Sequence, residues 1–137
     1  MILFDTSAII DFLKGGMKTK SIVEEIESNR ESVYKSVYNT VISQYELLTP
    51  IYHKGMKVEE SNIRAFLRRS IVFPLYQNSV EEASRIMGTL FKLGLPINAL
   101  DTLIAGIAIE TGTDKIATLD RDFIQIAKVT DLDMIII

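Results

Sequence analysis

Four carboxylates mark the chemistry open to this chain: Asp5, Glu46, Asp101 and Asp120. Asp5 closes the apolar run Ile2–Phe4, and Asp120 closes the run Lys115–Leu119. Each reads as the point where a strand hands over to a helix. In open parallel α/β sheets, ligands bind beyond the carboxyl ends of the strands, so two acids at two such ends meet when their strands are neighbours. Asp101 falls in the first turn of an apolar helix and interrupts the series Leu100, Leu103, Ile104, Ile107, in a position where the helix dipole favours the ionised form. Glu46 follows Ser43 by three residues and shares its helix face. Each acid also has a purely structural reading. Asp5 and Asp120 are good N-caps, Ser43-Gln-Tyr-Glu46 matches a capping box, and Asp101 complements its dipole. If the four converge, their mutual repulsion calls for a cation. The all-oxygen donor set suits Mg²⁺ or Mn²⁺ and suits zinc poorly. Such an ion lowers the pKa of bound water and polarises a phosphoryl oxygen, and a pair about 3.5–4 Å apart stabilises both attacking and leaving oxygens.

Composition narrows the alternatives. The 137 residues amount to one domain, 1–137, with 47% hydrophobic and 24% charged residues, as in a globular protein. Net charge is −3, so no basic excess advertises nucleic acid. The absence of cysteine removes disulfides, thiolate zinc sites, iron–sulfur clusters and cysteine nucleophiles. His53 is the only histidine, which removes zinc sites built on several imidazoles. A serine triad would have to use it, on a polar stretch without a nucleophile elbow. The opening residues lack the basic region of a signal peptide, and the most apolar stretch, Leu103–Ile109, is too short to span a bilayer. The expected location is cytoplasmic, with no membrane association.

The elements needed to position the acids follow from periodicity. Ile2–Phe4 reads as a buried strand, followed by a helix over Ala8–Lys14 capped by Thr6 or Ser7 and stopped at Gly15-Gly16. Thr19–Ser28 is an amphipathic helix with Ile22, Val23 and Ile26 on one face. Ser32–Ser36 reads as a strand, Val41–Tyr52 as a helix, and Lys57–Arg69 as a helix with a charged outer face. Ile71–Leu75 carries Pro74 and reads as a short or edge strand. Val80–Leu93 repeats apolar residues at Val80, Ala83, Met87, Leu90 and Phe91. Asn98 caps a helix to about Thr111, whose Ala99, Ala105, Gly106 and Ala108 suit close packing against a sheet. Lys115–Leu119 is a strand, Arg121–Ala127 a helix and Met134–Ile137 a closing strand. This alternation predicts an α/β domain with a mainly parallel central sheet flanked by helices.

Taken together, these residues resemble the PIN-domain family. Ile2-Leu-Phe-Asp5-Thr-Ser-Ala-Ile-Ile is similar to its opening strand, and Glu46 in Ser43-Gln-Tyr-Glu-Leu to its second acid. The continuous stretch from Leu95 through Asp101 to Ile109, then Ile116-Ala-Thr-Leu-Asp120-Arg-Asp122-Phe123, carries the resemblance furthest, and it spans essentially the whole chain. It implies a Rossmann-like fold, divalent-metal-dependent cleavage of RNA, and a hydroxyl near the fourth acid, a position filled by Thr118. It also implies that Asp5, Asp101 and Asp120 are the principal metal ligands, while Glu46 completes the site or positions the attacking water. Asp122 is either an outer ligand or a loop support. The single-domain size most resembles VapC-type toxins, whose members usually dimerise and are silenced by a cognate antitoxin.

Two basic groups are candidates for RNA phosphates: Lys14, Lys18 and Lys20, and then Lys54, Lys57, Arg64, Arg68 and Arg69. Both also read as solvated surface, as does His53. A haloacid-dehalogenase-like phosphatase expects a second Asp where Ser7 stands. A phosphorylation receiver expects an acid pair at the first strand and a mid-chain Asp, yet no Asp lies between Asp11 and Asp101. A competing reading of another class is a PIN-like, non-catalytic binding or scaffold module in RNA processing.

Overall fold

The computed structural model describes residues 1–29 and 36–137. Five strands form one wholly parallel sheet in the order β3-β2-β1-β4-β5: β1 Ile2–Phe4, β2 Tyr38–Thr40, β3 Ile71–Phe73, β4 Lys115–Thr118 and β5 Asp133–Ile136. The expected strand over Ser32–Ser36 falls almost wholly outside the described residues, and Ser36 itself lies just before β2. The expected mainly parallel sheet is found, and every strand pair among the described residues is parallel.

Seven described helices connect the strands: α1 Thr6–Leu13, α2 Met17–Ser28, α3 Val41–Lys54, α4 Lys57–Arg69, α5 Gln77–Lys92, α6 Ala99–Glu110 and α7 Phe123–Val129. The sheet's twofold side-chain alternation separates two cores. Leu3, Ile116 and Met134 face a cluster built from α5, α6 and α7. Phe4, Ala117 and Ile135 face the other, which holds Ala8 and Ile9 of α1, Val23 of α2 and Phe66 of α4. β1 sits between β2 and β4, so the chain leaves it in one direction for β2 and β3 and returns on its other side as β4 and β5. The switch point therefore lies where β1 and β4 end side by side.

Several local readings need correction. In α5 the buried face is Ser79, Ala83, Ile86 and Leu90, whereas Val80 and Phe91 are exposed. The reason is α6. A Cβ on Gly106 would lie 2.2 Å from the Ser79 carbonyl oxygen, so the two helices meet almost backbone to backbone there. Gly106 thus serves packing against a helix rather than a sheet, while Ala105 and Ala108 join the cluster around Leu3 and Ile116. Pro50 lies inside α3 and leaves the Glu46 carbonyl without its usual helical donor. No helix among the described residues is long and apolar enough to cross a membrane.

Candidate metal centre

The carboxyl ends of β1 and β4 carry a connected polar network. The Asp5 backbone N–H donates to Ala117 O at 3.1 Å, extending the β1–β4 ladder by one residue. Its side chain then turns back as the N-cap of α1, so the cap is Asp5 itself, one residue before the expected Thr6 or Ser7. Oδ1 accepts from the Ala8 N–H at 2.9 Å and from the Ser7 hydroxyl at 2.7 Å, and Oδ2 accepts from the Thr118 hydroxyl. Asp5 is only 3% exposed. Burial pushes its pKa up; the bonds from Thr118, Ala8 and Ser7 pull it back, and the charge of Asp120 adds a further upward push.

Thr118 and Ser7 also fix the loop beyond β4. The Thr118 hydroxyl accepts from Asp120 N at 2.9 Å, and the Ser7 hydroxyl accepts from Leu119 N at 2.9 Å. Because each hydroxyl has one proton and directs it to Asp5, their 3.3 Å separation is a contact rather than a further bond. Asp120 Oδ1 accepts from Asp122 N at 2.9 Å, a tight Asx turn that folds the loop back on itself. The N-cap position of α7 belongs to Asp122, whose side chain makes no capping bond.

Asp101 enters from α6, whose cap is Asn98: Oδ1 accepts from Leu100 N at 2.8 Å. One carboxylate oxygen from each of Asp101, Asp120 and Asp122 lies within 4.8 Å of the other two. Burial, followed by the charges of Asp120, Asp5, Glu46 and Asp122, raises the Asp101 pKa to about 7. Asp5 and Glu46 stand outside the three-oxygen group but close enough to act on Asp101.

Glu46 reaches the crevice from α3. The capping-box reading of Ser43 and Glu46 does not hold: β2 runs straight into α3, Thr40 is the cap, and its hydroxyl accepts from Ser43 N at 3.2 Å. Glu46 Oε1 instead accepts from the Thr6 hydroxyl at 2.7 Å. Thr6 and Ser7 are the polar residues that sequence reading missed, having been taken only as caps. The available signal was two hydroxyls following an acid at a strand end.

The basic groups separate in space. Lys14 lines the same groove as Glu46, but Lys18 donates to Ile136 O at 3.1 Å and Arg64 pairs with Glu60 at 2.8 Å. Arg121, between the two loop acids, is exposed, as is His53.

A parallel sheet whose switch point gathers five acids from both halves of the chain defines an acidic-centre α/β domain. The chain belongs to the PIN domain family, whose family model matches residues 2–129. Its fold is that of VapC-type PIN proteins. VapBC2 from Rickettsia felis, solved bound to a promoter DNA fragment, superposes with a TM-score of 0.83 at 19% identity, covering 100% of this chain and 99% of that one. VapBC-1 from nontypeable Haemophilus influenzae gives 0.76 at 25% identity over 99% and 98%. VapC20 from Mycobacterium tuberculosis, a sarcin–ricin loop cleaving toxin, gives 0.65 at 15% identity over 97% and 99%. Comparison of the sequence with curated proteins returned no match.

Proposed function

We propose that this chain is a divalent-metal-dependent endoribonuclease and the toxin of a toxin–antitoxin pair. The observation that carries this reading is the close grouping of Asp101, Asp120 and Asp122, with Asp5 and Glu46 acting on it from adjoining elements. The site fits Mg²⁺ or Mn²⁺: its donors are hard oxygens, and it concentrates negative charge that a cation would relieve. Asp101, Asp120 and Asp122 supply the grouped donors in this reading, and Asp5, outside that group, acts on the ion through water. An ion held there supplies water activation and offsets charge developing on a phosphate.

The chain's own residues do the rest. Asp5 is held by three donors and cannot reorient, so its charge is preorganised rather than recruited during reaction. Thr118 ties that carboxylate to the loop carrying Asp120, so the two acids keep one spacing. Glu46 completes the site or holds the attacking water. The products expected are a 5′-phosphate and a 3′-hydroxyl.

The partners in this reading are RNA as substrate, a cognate antitoxin and a second copy of the chain, in a cytoplasmic setting; the VapBC-like fold supports it. A crevice that keeps all five acids speaks for catalysis over a binding-only module. RNA cleavage assayed with Mg²⁺ or Mn²⁺, with EDTA, and with Asp5→Asn or Asp101→Asn tests the reading. Each substitution should cost on the order of a hundredfold or more. Cleavage that survives both chelation and substitution would sink it.

A further inference from the structure

We propose that Thr6 is the positioning residue for Glu46, fixing its carboxylate at the acidic crevice and locking α3 to the turn that carries Asp5. This rests on the metal-centre reading and adds to it a residue that touches neither ion nor substrate.

Thr6 is the first residue of α1, immediately after Asp5, so its backbone is fixed by the same helix start. Its β-branched side chain has restricted χ1 freedom, and the bond to Glu46 selects the rotamer that aims the hydroxyl at α3. That hydroxyl lies 2.7 Å from Glu46 Oε1 and 2.9 Å from Ser43 Oγ. With a single proton, it donates to the charged acceptor, which forms the stronger bond. Ser43 is fully buried on the same face of α3, and its Oγ is a second acceptor within reach of the Thr6 hydroxyl. The Thr6 hydroxyl thus sits between two residues of α3, Ser43 and Glu46, and ties the start of α1 to that helix.

Among the described residues, Thr6 is the partner that fixes Glu46. No other hydrogen bond or ion pair holds its carboxylate among the described residues. A free glutamate would sample several rotamers, and holding one costs entropy. Within the crevice it must also tolerate the charge of Asp101, with which it is electrostatically coupled. The Thr6 bond supplies the restraint that keeps it there.

The test is Mn²⁺ binding, followed by electron paramagnetic resonance and titration calorimetry on the full chain without RNA. Thr6→Val keeps the shape and removes the donor; Thr6→Ala is the second variant should the first fail to fold. With Glu46 taken as the member that completes the ion's donor set, loss of its orienting partner should weaken metal binding by about 10–100-fold in either variant. Thr6→Ser should restore most of the affinity, which a purely space-filling role would not predict. In a Glu46→Gln background, Thr6→Val should add little, because the residue it positions is already altered. Wild-type-like affinity in Thr6→Val, or an undiminished loss on top of Glu46→Gln, overturns the proposal while leaving the metal centre intact. Failure of the wild-type chain to bind Mn²⁺ overturns the metal reading itself, and the role of Thr6 with it.

Discussion

Asp101→Asn should make the metal-free protein more stable at pH 8 and change it little at pH 4. The folded chain holds this carboxyl near 7, against an ordinary value of 3.8. Between those values the unfolded chain ionises first, so folding stability falls as pH rises and reaches its full loss above about 7. Taken without screening, the shift corresponds to about 4 kcal/mol. Asp101 is only partly buried, and solvent screening reduces the expected gain to about 1–2 kcal/mol. For a chain of this size that is roughly 3–6 °C in melting temperature. The assay is thermal or urea unfolding in EDTA at pH 4 and pH 8. Its strength lies in its sign. An acid in the first turn of a helix ordinarily stabilises by about 0.3–1 kcal/mol, so replacing a mere dipole partner would destabilise at pH 8. A lower melting point for Asp101→Asn at pH 8 would refute the claim that the crevice is strained by its own charge.

Saturating Mn²⁺ should reverse the order, stabilising wild type by about 2.7 kcal/mol at a hundred times its dissociation constant and Asp101→Asn by less. Calorimetry in buffers of different ionisation heat should show more protons released on metal binding at pH 6 than at pH 8, since Asp101 is still largely protonated at the lower pH. Thr118→Val should cost about 2–3 kcal/mol in urea unfolding, because Asp5 Oδ2 and Asp120 N each lose a buried partner. Gly106→Ala should cost about 1–3 kcal/mol by driving a methyl group into the Ser79 carbonyl; a neutral result would show that α5 and α6 separate easily.

The sequence carried the architecture well where patterns were long. Lys57–Arg69 stands within its expected bounds, and Asn98 caps α6 as read. Asp101 was conspicuous because an apolar helix gives a charge no local purpose. Less legible were contacts that depend on what arrives from elsewhere in the chain. Thr6 and Ser7 have the composition of helix caps, and only the approach of α3 and β4 turns their hydroxyls toward Glu46 and Asp5. Ser43 and Glu46 have capping-box spacing, but the absence of a loop between β2 and α3 moves the cap back to Thr40. In α5, Val80 and Ser79 are equally compatible with a helical period. The backbone approach at Gly106 decides that the smaller one goes inside.

The pairing of β1 with β4 also sets when the crevice can first exist. Asp5 precedes its Thr118 partner by 113 positions, and Asp120 and Asp122 follow still further on. A growing polypeptide that has emerged only as far as α6 holds Asp5, Glu46 and Asp101 but lacks the strand that aligns them. Synthesis at about 5–20 residues per second leaves such an incomplete chain for about 1–4 s. Any product broken off before Asp122 lacks part of the acid set. In the metal-nuclease reading, the crevice cannot act until β4 and the loop carrying Asp120 and Asp122 have been made.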